Sequence, residues 1–149
     1  MRFYSLLVLL ALSCVAAPVC AQGTGRTYVT SPEAEQHHLP FSSAVLVGDT
    51  LYIAGTSAVG PTDKNTFTAA QEAQVVMDDL KRVVEQAGMT MDDIVSIQVY
   101  CTDLHDYSAF NQVYATYFHG HYPARAFIGA ANLLFGARYE LMGIAVRHK

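Results

Sequence analysis

Between residues 66 and 101 the spacing of apolar side chains changes period. "TFTAAQEAQVVMDDLKRVVEQAG" places Ala73, Val76, Leu80, Val83 and Ala87 at intervals of three and four, one stripe of an α-helix, and Gly88 stands where it must stop. A few residues on, "IVSIQVYCT" alternates Val95, Ile97, Val99 and Cys101 on one face, the period of a strand. A chain that must bury a helical stripe and an alternating strand together folds in layers, helix on sheet.

The flanking elements extend this unit. "SSAVLVGDTLYIAG" holds two β-rich runs around Gly48-Asp49, which predicts a hairpin of Ala44–Val47 with residues 50–54 and then a loop over 55–65. "DYSAFNQVYATYF" returns to helical spacing through Tyr107, Phe110, Val113, Tyr114 and Tyr117, with Asp106 as the expected N-cap. Pro123 stops that helix and sends the chain into an extended segment, Ala124–Gly129; a loop around Gly136 leads to a last strand over 139–147. Residues 22–42, with Gly23, Gly25, Pro32 and Pro40, read as a loose arm carrying one short strand at 26–31. The order predicts one α+β domain over 22–149, with both helices packed on one face of a sheet.

The first 21 residues have another character. Arg2, an apolar run over 6–12 and small residues up to Val19-Cys20-Ala21 match a secretory signal peptide, so the mature chain is expected to start at Gln22, in the periplasm or outside the cell. The run is shorter than the roughly 20 apolar residues of a spanning helix, so no membrane anchor is expected in the mature form. A lipoprotein is the lesser alternative, since Ala11-Leu12-Ser13 before Cys14 matches such a signal imperfectly. Cleavage removes Cys14 and Cys20 and leaves Cys101, which can form no internal disulfide. The formal net charge of −4 becomes one unit more negative without Arg2, and no basic cluster offsets it, which disfavours nucleic acid and anionic membrane as partners.

Chemistry concentrates near the C-terminus, in "YPARAFIGAANLLFGARYELMGIAV". Glu140 alternates with Met142, Ile144 and Val146, so its carboxylate shares a strand face with large apolar side chains and needs a partner or a pocket. Arg125 opens the preceding extended segment on the face of Phe127, and would lie near Glu140 if the two strands pair. Two readings stay open on spacing alone. The pair is a salt bridge pinning two strand ends, or Arg125 offers its bidentate fork to a ligand carboxylate while Glu140 handles water or a proton. His119-Gly120-His121 lacks a third ligand at suitable spacing and His37-His38 sits in the polar arm, so no metal site is expected. Cys101 alternates with Val99 and Ile97, as a buried, inert thiol would. Tyr107, Tyr114 and Tyr117 need only packing to explain them.

"FSSAVLVGDTLYIAG", the run from Val76 to Phe118, "YPAR" and "YELMGIAV" resemble, in order and spacing, the RidA (YjgF/YER057c/UK114) family of reactive intermediate deaminases. "PAR" alone is a weak motif; followed fifteen residues on by a strand glutamate it is a specific one. The resemblance implies a chorismate-mutase-like α+β fold, a homotrimer with clefts between subunits, and hydrolysis of enamines or imines such as 2-aminoacrylate to a keto acid and ammonia, with no metal or cofactor. It implies that Arg125 pairs with the substrate carboxylate, that Glu140 positions the attacking water, that the backbone at Phe127 lines the cleft, and that Gly55 approaches the ligand from the adjoining subunit. Phe41 stands where the family carries a tyrosine, and Ala54 where it carries a serine. These departures support an alternative, a non-catalytic protein binding a small carboxylate or an apolar metabolite in the same cleft. An RNA-cleaving role, attributed to some relatives, conflicts with the acidic charge.

Overall fold

The computed structural model describes residues 25–60 and 64–148. The signal peptide read in residues 1–21 and the mature start at Gln22 lie outside the described residues. Six strands, β1 (Arg26–Val29), β2 (Ala44–Val47), β3 (Thr50–Ser57), β4 (Ile94–Cys101), β5 (Ala124–Gly129) and β6 (Tyr139–Val146), form one sheet in the order β1-β2-β3-β6-β4-β5. Helices α2 (Ala69–Gln86) and α3 (Tyr107–Tyr114) lie together on one face of it. All neighbouring strands are antiparallel except β4 and β5, which run parallel because α3 crosses between them.

Local chemistry accounts for most boundaries. Gly48 takes φ 59° in the two-residue turn that sets Val47 opposite Thr50. The Thr68 hydroxyl accepts the Gln71 N–H while the Gln71 side chain accepts the Thr68 N–H, a reciprocal cap that starts α2. Gly88, at φ 70°, ends it. The expected stripe of α2 is buried from Ala73 to Val83, with Ala87 partly buried at the C-cap, and is widened by Met77 and Val84, both fully enclosed in one core with Leu51, Ile97, Val99 and Leu141.

Four expectations are corrected. The strand expected to stop at residue 54 runs to Ser57: three steps from Ile53 to Thr56 face two from Gly143 to Leu141, a β-bulge that carries Gly55 into the sheet rather than into a loop. A second irregularity between Ile94 and Ser96 turns Ile94 inward and leaves Val95 46% exposed, which breaks the alternation read from the sequence. Asp106 holds the N-cap position of α3 as expected, but with helical backbone and no capping hydrogen bond from its side chain; its carboxylate instead receives Arg138 at 3.3 Å. The arm contains a short helix, α1 (Pro32–Gln36), started by the Ser31 hydroxyl accepting the Ala34 N–H, with proline at the first position.

The alternation of β6 sorts the sheet faces. Tyr139, Leu141, Gly143 and Ala145 are buried under the helices, while Glu140, Met142, Ile144 and Val146 point to the other face, which no helix covers. Tyr100 and Gln98 of β4 pair with Glu140 and Met142 and share that open face.

Candidate active site

Arg125 and Glu140 are not neighbours. β5 pairs with β4 and not with β6, so two strand spacings separate them, roughly 10 Å. Arg125 lies opposite Ile97 and Glu140 opposite Tyr100, an odd offset along β4, which also puts the two side chains on opposite faces of the sheet. The salt bridge between adjacent strand ends therefore does not form within one chain. The condition for that contact, β6 beside β5, is not met, because β6 is inserted between β3 and β4.

On the helix face, Arg125 is surrounded by rings. Its Cζ lies 4.5 Å from the Tyr114 centroid, 5.7 Å from Phe127, 5.8 Å from Tyr107 and 6.0 Å from Phe110. Among the described residues it meets no carboxylate. Burial pushes the Tyr114 phenol up to about 12 against the pull of the Arg125 charge, so it is neutral at physiological pH. A hydrogen bond from Asn111, then the Arg125 charge, holds the Tyr107 hydroxyl below its usual range. A pocket of about 440 Å³ opens beside Arg125, lined by Asn111, Tyr114, Ala115, Tyr122 and Pro123. This pocket can hold an anion against an apolar wall.

Glu140 lies across the sheet. It pairs with Ser57 and leans over Gly55, where a Cβ would collide with its carboxylate. Only glycine leaves that space. Among the described residues no cation pairs with Glu140, which is half-buried. On the α2 side of β3, Phe41 and Gly55 line a groove of about 370 Å³ that Glu140 does not enter, together with Thr56, Ser57, Asp79 and Arg82. There the Thr56 hydroxyl donates to Asp79, which also pairs with Arg82.

The chain thus brings together Arg125 with Phe127, Glu140 with Gly55, and, in a groove that Glu140 does not line, Phe41 with Gly55. Sequence reasoning missed the rings around Arg125, because Tyr107, Phe110 and Tyr114 at i, i+3 and i+7 are also what plain packing would produce. It missed Glu72, a fully buried carboxylate of α2 that accepts the N–H groups of Arg138 at 2.5 Å and Tyr139 at 3.3 Å and anchors the start of β6. The Cys101 thiol is buried, donates to the Asp103 carbonyl at 3.0 Å, and is pushed up by burial, so it offers no thiolate nucleophile. Among the described residues no three His, Cys, Asp or Glu side chains converge on a metal-sized site.

Comparison with known proteins gives this geometry a family. A sequence model described as Endoribonuclease L-PSP matches residues 31–147. A protein of Dermatophagoides farinae named 2-iminobutanoate/2-iminopropanoate deaminase is 33% identical over 120 residues, covering 79% of this chain and 94% of the relative. The crystal structure of RidA from an Antarctic Psychrobacter superposes with a TM-score of 0.67 at 34% identity, over 72% of this chain and 89% of that one. Escherichia coli TdcF, solved with bound serine, gives 0.68 at 29% identity over 73% and 89%. The helix-on-sheet architecture is therefore the RidA-type α+β fold, and the chain belongs to the endoribonuclease L-PSP family, the family of RidA and the YjgF/YER057c/UK114 proteins.

Proposed function

We propose that this protein is an enamine/imine deaminase that hydrolyses small 2-imino acids of the 2-aminoacrylate type to keto acid and ammonia. The observation that carries the reading is Arg125: a guanidinium at the mouth of an apolar pocket with no carboxylate partner among the described residues awaits one from a ligand. The relative from Dermatophagoides farinae, named for 2-iminobutanoate and 2-iminopropanoate, supports the substrate class. Bound through its carboxylate, the imine exposes C2 to a water held by Glu140. With the imine protonated, Glu140 takes a proton as the water oxygen bonds to C2, giving a neutral carbinolamine; it returns that proton to nitrogen, and as the C–N bond breaks ammonia leaves and the hydroxyl proton passes to Glu140, leaving the keto acid.

This chemistry requires Arg125 and Glu140 at one ligand, and one chain holds them on opposite faces of its sheet. The site is therefore built between copies, with Glu140 and Gly55 of one subunit meeting Arg125 of the next. A homotrimer closes such a head-to-tail arrangement, and the uncovered face bearing Tyr52, Met142, Ile144 and Val146 supplies apolar surface for it. The leader of residues 1–21 makes this an exported member, in the periplasm or secreted. N-terminal sequencing of active protein that found Met1 retained would overturn that assignment.

The deciding experiment mixes the purified protein with freshly generated 2-iminobutanoate. Ammonia and 2-oxobutanoate must form well above the spontaneous rate, and no acceleration overturns the reading. A second reading, a non-catalytic binder of a small carboxylate, is favoured by Phe41, which can donate no hydrogen bond to a ligand. It expects saturable binding of 2-oxobutanoate with no acceleration.

A further inference from the structure

Arg125 has an unusual set of neighbours for a cation inside a fold. A carboxylate counter-ion would occupy its N–H groups and would have to be displaced before a ligand carboxylate could bind. Aromatic faces attract the cation through their quadrupoles and take none of its donors. Four rings lie within 6.0 Å of its Cζ, and they hold one another in place. Tyr107 meets Phe127 edge-on at 4.9 Å, Phe110 meets Phe127 at 5.4 Å, and Phe110 meets Tyr114 at 5.8 Å. Tyr114, the ring nearest the guanidinium, is 4% exposed and is backed from behind by Phe118 at 4.8 Å and Tyr122 at 6.2 Å. Its hydroxyl has no hydrogen-bond partner among the described residues, so no polar contact of its own accounts for a tyrosine there.

We propose that Tyr114 is a positioning residue: its ring face carries the Arg125 guanidinium at the pocket, so that the arginine's N–H groups stay available to a ligand carboxylate. The proposal rests on the reading of Arg125 as the carboxylate receptor and deepens it. The cage makes the site select for anionic keto or imino acids over their neutral analogues, because it stabilises a cation without neutralising it. Tyr107 works beside it, its ring 5.8 Å from the same Cζ; its hydroxyl accepts one Arg125 N–H and leaves the rest of the fork to a ligand.

The test is calorimetric binding of 2-oxobutanoate and of its neutral amide, 2-oxobutanamide, to the purified protein and to Tyr114→Phe, Tyr114→Leu and Tyr107→Leu. Tyr114→Phe keeps the ring and should bind the keto acid about as wild type does. Tyr114→Leu should weaken the keto acid roughly tenfold, the scale of one desolvated cation–π contact, and leave the amide nearly unchanged. Tyr107→Leu changes a ring that is 47% exposed and should weaken the keto acid in the same selective way. Equal weakening of acid and amide by these variants, or unchanged keto acid affinity, overturns the positioning role. Arg125→Ala separates this from the parent reading: if it binds the keto acid as wild type does, the carboxylate receptor itself falls and the proposal falls with it. If it loses the acid while the Leu variants keep it, only Tyr114 is wrong.

Discussion

Gly55 is placed by what lies above it. The Glu140 carboxylate occupies the space a Cβ would fill, and because that carboxylate is the far end of a flexible side chain, an added methyl moves the acid rather than the backbone. Gly55→Ala should therefore leave thermal stability nearly unchanged while turnover drops on the order of tenfold to a hundredfold, the cost of misplacing a reacting group by about an ångström. A loss of stability with turnover per folded protein retained would mean that Glu140 has no part in the chemistry. Glu140→Gln, which keeps the shape and removes the charge, should cut turnover about a hundredfold with keto acid binding kept. Tyr114→Phe has the opposite logic: it deletes a buried hydroxyl that has no partner among the described residues and should raise unfolding free energy by up to about 1 kcal/mol, read by urea titration. A fall of that size would reveal a partner for the hydroxyl. At this scale the sequence exposed Arg125 and Glu140 because each is a charge in an apolar run. It hid Tyr114, whose spacing matches ordinary helix packing.

Elements were legible where one period runs unbroken. The α2 stripe, the hairpin turn at Gly48 and the extended strand after Pro123 stand as read, because each depends on local chemistry, whereas the second helix ends at Tyr114, well before that proline. What failed depends on partners distant in the chain: the bulge that carries Gly55 into β3 is set by pairing with β6, and the place of β6 between β3 and β4 has no local signature. The turn at Met91–Asp93 shows a local and a distant interaction sharing one carboxylate. Burial would raise the Asp93 carboxyl, but the Thr90 and His148 N–H groups, the His148 ring and the Thr90 hydroxyl outweigh it and bring it to about 2, against 3.8 for an ordinary aspartate. A carboxyl depressed in the folded state stabilises fully above its unfolded value, and that contribution is lost as pH falls from 3.8 toward 2. Wild type should therefore lose stability more steeply than Asp93→Asn across this acid window, measured by chemical denaturation at successive pH values. Equal slopes would show that the tie between the C-terminal segment and this turn carries no net stabilisation.

For the whole molecule the governing fact is that one chain places Arg125, in its aromatic cage, and Glu140, over Gly55, on opposite faces of one sheet. If a ligand is shared between copies, two inactive variants should repair each other. Arg125→Ala subunits still carry Glu140 and Gly55, and Glu140→Gln subunits still carry Arg125. Unfolded together in equal amounts and refolded, they assemble at random. A site is intact when a subunit with Arg125 faces a neighbour with Glu140, which happens at about a quarter of the interfaces in a closed ring of three. Mixed protein should then regain about a quarter of wild-type deaminase activity per site, while each variant refolded alone stays inactive. Sedimentation equilibrium on the same samples should report a trimer at micromolar concentration, which ties the recovery to assembly. Residual activity that merely averages the two parents would place both residues in one chain's site, and the geometry of the sheet would then require Arg125 to act from across it.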